Sequence, residues 1–571
     1  MKNKILYFLL FMCMASLKTN AQDILLPSSH YKFKVVEKVC EKIAKVREYD
    51  RIVPELKMYA KQSKTQVIAQ FVAVNGHQII YVDEKLYDLC AKFGADSLNA
   101  LACILGHELA HYTQNHQYKD GFFAGLLPSS FGIPKGIRKS AKDQKMKLEI
   151  EADYYGLLQG YLAGYSTYQL LPKVLKKIYE EYKLSEQLDG YPTKNERISA
   201  AEKTAQEIET LVPIFNAGKF LYLSKNYEDA GACFQYISNT FTDRDIANNI
   251  GVSALAQAMM LMEKENVYFA YPCELDASGR LLSSTARSTL SNDGKKDKKQ
   301  QIKDLLKRAE THLEQVLKLD KAYTAAHINL ACKYSLEGNH AFAVGYINKL
   351  EKILAEDPSI KGGLPANAHL IRGIALAKNN QLDEAKSDFE TAAKKKAFMA
   401  DYNLALYNKI NQSFLEKLFD ITDLKEWITD FIAENQKDNS KFIPAKGETI
   451  DNTPIQTLLK EKFETNTSIQ LAGRAINIAC VNTEVADKIK IRLFDKNVYL
   501  LATKPNYMGK TSQGMAIGTT KNQLIAAYGN PSYVQAGSNA EFYFYEKVKM
   551  IVEVSEGKVK NWMLYYIEVR N

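Results

Sequence analysis

A chain of 571 residues, 46% hydrophobic and 25% charged, is longer than one hydrophobic core usually supports and too apolar to be disordered, so two to four folded domains are expected. Its formal net charge of +9 is small for that length, and no stripe of basic and aromatic residues stands out, which excludes a nucleic-acid partner from the expected set.

Residues 1–21 carry Lys2 and Lys4, an apolar run from Ile5 to Leu17, and small residues at Thr19 and Ala21. This pattern predicts a secretory signal cut after Ala21, and the run is too short for a membrane span. Cys13 follows Met12 rather than a small residue, against a lipid anchor. Cleavage removes three lysines and no acids, lowering the formal charge to +6. The seven remaining cysteines are scattered, with no CxxC pair; an exported chain permits disulfides but this spacing does not demand them, and most read as buried apolar positions with no thiolate metal site.

The run TQVIAQFVAVNGHQIIYVD at 65–83 is strand-like, with Asn75-Gly76 as a hairpin turn. An edge of this run would suit an extended peptide added as another strand. With the helical patterns around it, 22–205 is expected to form a helix-rich α+β unit. The next segment is helical: Asp96 or Ser97 caps it, Leu101, Ile104, Leu105 and Leu109 give an apolar face, and Gly106 leaves room for a neighbouring backbone.

GHELAH at 106–111 places His107 and His111 four residues apart, so that both imidazoles project from one face, with Glu108 toward the flank where a reactive water would sit. Two histidines satisfied inside a core helix is the alternative, but the HExxH pattern is expected by chance only roughly 0.02 times in a chain of this composition. The apolar stretch GFFAGLLPSSFGI at 121–133 is too short to span a bilayer and reads as a lid over a cleft, a buried loop or a peripheral membrane contact. Downstream, KLEIEADYYG at 147–156 offers Glu149, Glu151 and Asp153, of which Glu149 and Asp153 share a helix face. Alone this is an ordinary acidic face; beside HExxH it supplies a third metal ligand.

HExxH followed by ExEAD resembles the HtpX and CAAX-prenyl-protease type of zinc metallopeptidase, peptidase family M forty-eight, over residues 65–205. The resemblance implies a gluzincin-type fold with one zinc ion per chain held by His107, His111 and Glu149. It implies Glu108 as general base, and Asp153 as partner of a ligand histidine or as proton donor. The stretch HELAHYTQNH matches exported members of the family, and His116 within it is given a structural role. Three protein ligands leave zinc a fourth position for a water whose pKa falls to about 7, which Glu108 deprotonates for attack on a peptide carbonyl. The family's HP-x(4)-R segment is here YPTKNERI, with Tyr191 in place of histidine, then Pro192 and Arg197. Either the Tyr191 hydroxyl replaces the histidine as a donor to the transition-state oxyanion, or Tyr191 is a packing residue.

From about 211 to 400, Gly218, Ala230 and Phe234 are spaced by twelve and four residues, and Gly373, Ala385 and Phe389 repeat those intervals, with Ala392 three further on. Ala331, Tyr334 and Ala343 hold comparable places, and Gly251 and Ala309 look like two halves of another unit split by a Ser-, Lys-, Asp- and Gly-rich loop near 263–300. Lys295, Lys296, Lys298 and Lys299 belong to that solvated loop. The spacing resembles tetratricopeptide repeats, about four of them in an all-α solenoid placed at 206–432; a generic helical bundle is the alternative.

A polar, proline-containing stretch at 433–454 reads as a linker. At 455–571 a small α+β domain is expected, with a short helix after Gly518-Thr519-Thr520, a stop at Gly529-Asn530-Pro531, and strands joined at Glu556-Gly557. It is similar to the SmpA/BamE type of outer-membrane-assembly domain.

Signal, peptidase and repeats in that order resemble the periplasmic BepA-type proteases. The resemblance implies an exported, periplasmic zinc metalloendopeptidase acting on misfolded or unassembled envelope proteins, its repeats recruiting substrates or outer-membrane assembly proteins. The rival reading is a latent chaperone or adaptor acting through its repeats.

Overall fold

The computed structural model describes residues 24–47, 52–63, 67–74, 77–114, 144–186, 193–240, 243–262, 269–276, 280–282, 298–357, 360, 362–397, 399–416, 448–454, 457, 464–471, 474–483, 486–493, 498–503, 509–537 and 540–568. The expected signal at 1–21, the stretch 121–133, His116, Tyr191, Pro192, Lys295 and Lys296 lie outside the described residues. Among the described residues no helix is long and apolar enough to cross a membrane.

Helix α1 (Tyr31–Arg47) precedes a three-stranded sheet of β1 (Glu55–Tyr59), β2 (Ala69–Val74) and β3 (His77–Asp83), ordered β1-β3-β2. The strand-like run thus resolves into an antiparallel pair, Val74 opposite His77, with β1 parallel to β3 on the far side. Next come α2 (Glu84–Ala91), α3 (Ser97–Thr113), α4 (Gln144–Leu162) and α5 (Leu171–Glu181). Every residue of α3 from Ala100 to Ala110 is buried, because the helix has neighbours all round: α1, β2, α4 and α5. Asp96 stands at its N-cap without bonding the helix backbone; its carboxylate accepts from the Asn99 amide at 2.9 Å.

Helix α6 (Lys194–Leu223) runs unbroken from this unit into an array of successive packed helices: α7 (Tyr227–Thr240), α8 (Arg244–Met262), α9 (Lys298–Leu319), α10 (Thr324–Leu336), α11 (His340–Glu356), α12 (Ala366–Lys378), α13 (Leu382–Lys394) and α14 (Ala400–Glu416). The small-and-large spacing has its physical origin here. A Cβ on Gly218 would lie 2.9 Å from the Phe234 ring, one on Gly373 3.1 Å from Phe389, and one on Gly251 2.8 Å from Leu313. Between α8 and α9 the structure departs from the expected loop: residues 269–276 are all buried, with β4 (Glu274–Asp276) paired to β5 (Arg280–Leu282), and Lys298 and Lys299 open α9. The apolar Phe269, Tyr271 and Leu275 outweigh the polar composition of the rest of that stretch.

Two short strands, β6 (Thr449–Ile450) and β7 (Thr453–Pro454), follow. Composition assigned them to the linker, but Ile450 is fully buried and the buried Glu448 accepts from the Tyr528 hydroxyl at 3.1 Å. The chain ends in β8 (Glu464–Leu471), β9 (Arg474–Thr483), β10 (Ala486–Leu493), β11 (Val498–Thr503), α15 (Lys521–Tyr528), β12 (Tyr533–Ala536), β13 (Glu541–Tyr545), β14 (Met550–Ser555) and β15 (Lys558–Glu568). The strands form one eight-stranded sheet ordered β12-β13-β14-β15-β11-β10-β9-β8. Thr520 and Gln523 form a capping box on α15, Gly529 ends it at φ 78°, and Glu556 and Gly557 turn β14 into β15 with φ 51° and 73°. Alternation divides the sheet: Phe542, Phe544, Ile551 and Met563 join the main core, while Tyr543, Tyr545, Val552 and Trp562 enclose a second core with Leu524 and Tyr528 of α15.

A buried ion pair fastens the sheet to α6. Lys219 Nζ lies 2.7 Å from Glu553 on β14, which also accepts from Asn561 at 3.0 Å. Burial alone would raise the Glu553 carboxyl, but Lys219 and Lys560 outweigh it and hold it down at about 2. A carboxyl depressed from 4.5 contributes stability that is complete above pH 4.5 and lost as pH falls toward 2. Acid unfolding followed by circular dichroism should therefore lose roughly 3 kcal/mol over that window through this group. In Glu553→Gln that component of the pH dependence should vanish; an unchanged acid profile would refute the assignment.

Candidate metal centre

The site is built where α3 and α4 cross. A Cβ on Gly106 would lie 2.5 Å from the Gly156 carbonyl oxygen, and one on Gly156 would lie 2.5 Å from both the Gly106 carbonyl carbon and the His107 nitrogen. The room that Gly106 leaves is thus filled by the backbone of α4. Contact at this point, next to His107, brings Glu149, about two turns back along α4, opposite both histidines. Gly156→Ala should force the helices apart and cost about 3 kcal/mol, since neither clash is with a movable side chain. Thermal melting of the purified variant checks this; an unchanged midpoint would contradict the crossing.

His107 Nε2 lies 3.3 Å from Glu149 Oε2, His111 Nε2 3.6 Å from Glu149 Oε1, and the two Nε2 atoms 3.1 Å from each other. One ligand atom from each of the three residues lies within 4.8 Å of the others. Burial alone would raise the Glu149 carboxyl, but His107, His111 and Arg197 hold it well below the usual carboxylate range. Two imidazole nitrogens and an ionised carboxylate aimed at one point are a donor set suited to a divalent cation such as zinc.

A second layer holds that set in place. Asp153, 1% exposed, bonds His107 Nδ1 at 2.8 Å and so turns Nε2 toward Glu149 and His111. Both terminal guanidinium nitrogens of Arg197 grip Asp153, Nη2 at 2.6 Å from Oδ1, and Nη2 also stands 3.9 Å from Glu149. Arg197 sits in the first turn of α6, fixed by the Thr193–Glu196 capping box. In the sequence Arg197 stands only as the arginine of YPTKNERI; its partner Asp153 is set by the docking of α6 on α4.

Glu108 is buried beside the histidines and accepts from the Phe71 backbone N–H of β2 at 2.8 Å. Burial, reinforced by the negative Glu149 and opposed by His107, raises its carboxyl above the ordinary value. A cleft with about 190 Å³ of room for solvent opens over these groups, walled by Ile68, Ile104, Leu171, Leu175 and Ile178. Tyr179 of α5 also lines it, its phenol raised by burial and by Glu149. Nothing in the sequence around Tyr179 marks it as a cleft residue.

Residues 31–169 match the model of a known family, described as Peptidase family M48. The match supports a metallopeptidase of that family, whose members are typically zinc-dependent. No curated protein matches. Among solved structures, a monomeric mutant of IFIT1 with Gppp-AAAA is 13% identical, at a TM-score of 0.29 over 61% of this chain and 65% of that one. The human IFIT1 dimer with m7Gppp-AAAA is 14% identical, at 0.28 over 61% and 66%. The chain thus spans just under two thirds of either protein, and scores of that size establish no common fold.

Proposed function

We propose that this chain is an exported, zinc-dependent endopeptidase that cleaves misfolded or unassembled envelope proteins in the periplasm. The observation that carries the reading is the convergence of His107, His111 and Glu149 on one point inside the segment that matches the peptidase family. These three residues would hold the ion, and zinc bound there supplies Lewis acidity that makes water acidic near neutral pH and polarises a carbonyl. Glu108 takes the proton from the attacking water and delivers it to the leaving amine, a task suited to a carboxyl raised by burial. Asp153 orients His107, and Arg197 holds Asp153 in place. The Phe71 N–H directed at Glu108 sets the edge of β2 along the cleft, where an extended substrate would add as another strand, reading backbone more than sequence.

Two phenols are proposed donors to the oxyanion: Tyr191, which replaces the family histidine, and Tyr179, which lines the cleft. Tyr191→Phe and Tyr179→Phe should separate them, the true donor losing roughly 100-fold in kcat. Full turnover in both variants would remove the idea.

The wider reading assigns 1–21 to the signal, 22–205 to the peptidase, 206–432 to tetratricopeptide-type repeats that recruit substrates or assembly proteins, and 455–571 to the SmpA/BamE-type domain. The Gly218–Phe234 and Gly373–Phe389 contacts support the repeats. Zinc analysis of the purified mature chain, with digestion of casein in the presence and absence of a chelator, tests the whole. One zinc per chain and chelator-sensitive cleavage are expected; a zinc-loaded protein that leaves casein intact would make it an adaptor.

A further inference from the structure

Thirty-five residues, 263–297, separate α8 from α9, whereas packed helices are usually joined by about 2–8. The pair does not need them to close, because Gly251 of α8 already packs on Leu313 and Ala309 of α9. Part of this insertion instead runs buried along the helical array, turning tightly at Tyr271–Cys273 before the short strand Glu274–Asp276, and alternate helices grip its main chain through asparagine carboxamides.

On α14, Asn403 holds Ala270 in both directions: its Oδ1 accepts from the Ala270 N–H at 2.8 Å and its Nδ2 donates to the Ala270 carbonyl at 2.8 Å. Asn329 of α10 does the same to Glu274, at 2.8 and 2.9 Å. On α8, Asn249 does so to Asp276, and Asn248 adds a bond to the Glu274 carbonyl at 3.0 Å. Asn329, Asn248, Asn249 and Asn403 are each fully buried. A carboxamide carries one acceptor and two donors, so it can satisfy both polar groups of a residue while ignoring its side chain. A core fastened only to itself has no need of such sequence-blind recognition.

A few side chains are read as well. The Tyr271 hydroxyl accepts from Lys378 at 2.8 Å, and the Glu274 carboxylate accepts from Asn367 of α12 at 2.7 Å. Phe269 stacks on Phe389 with ring centroids 6.0 Å apart.

We propose that this channel is a receptor for extended polypeptide, gripped through its backbone by the asparagines of α8, α10 and α14, and that residues 269–276 are its tethered occupant. An incoming unfolded segment would displace them, with preference for an aromatic residue three positions before an acidic one. The inference does not require hydrolysis, and its test reads binding alone.

The probe is a fluorescein-labelled synthetic peptide copying residues 267–278 with serine at the position of Cys273, titrated by anisotropy against the mature chain carrying Glu108→Gln. Replacing 269–276 by eight Gly and Ser residues should tighten binding at least tenfold. Adding Asn329→Ala and Asn403→Ala, or N-methylating the peptide at the residue matching Glu274, should reverse that gain. A folded replacement variant, judged by circular dichroism, that binds no better than its parent would overturn the proposal. If the replacement unfolds, the Tyr271→Ala/Glu274→Ala variant decides: tighter probe binding supports a displaceable occupant, and a lower melting temperature without tighter binding shows an integral part of the core.

Discussion

Glu108→Gln should lower peptide hydrolysis by roughly 10³-fold while leaving zinc content and melting temperature as in the parent, measured by casein turnover, elemental analysis and calorimetry. The separation follows from where the carboxylate sits. It is not one of the three converging ligands, so its charge is not needed to hold the ion. Its Oε2 accepts the Phe71 N–H at 2.8 Å, and the glutamine oxygen can accept the same bond. Burial disfavours the ionised form, so an uncharged isostere should be tolerated. What the amide cannot do is take a proton from water and return it to an amine. Cleavage above a tenth of the parental rate in the variant would force the base to be sought elsewhere.

Asp153→Ala should be the most damaging single change in the centre, lowering stability by about 3–5 kcal/mol and zinc affinity by 10–100-fold. The two losses have different origins. Stability falls because Arg197, 8% exposed, would keep its charge and lose the carboxylate that both its nitrogens grip. Zinc affinity falls because His107 Nδ1 loses its partner at 2.8 Å, and because Arg197, already 3.9 Å from Glu149, becomes a competitor for that ligand. Adding Arg197→Met should recover most of the stability, read by thermal melting, and little of the affinity, read by chelator competition. Equal recovery of both would mean that Asp153 serves only as a counter-ion.

Residues within one helix were the easiest to read. His107 and His111 follow from a period of 3.6, which places them on one face, with Glu108 on its flank, whatever the rest of the chain does. The turn chemistry around α15 and at Glu556-Gly557 was equally local, and the structure has the helix and hairpin there. Composition misled where burial depends on distant partners. The Ser- and Lys-rich insertion hides an eight-residue buried segment, and Glu448 and Ile450 of the expected linker belong to the second core.

By itself the sequence determined the HExxH pattern, the acidic helix that could complete it, and the small-and-large spacing of the helical array, because each is a property of neighbours within one or two elements. Tertiary structure alone decided that Gly106 meets Gly156, that Glu149 rather than Glu151 faces the histidines, that Arg197 secures Asp153, and that asparagines from three helices hold one buried segment. Each of those contacts joins residues far apart in the chain, and a one-dimensional pattern carries no measure of how two helices cross.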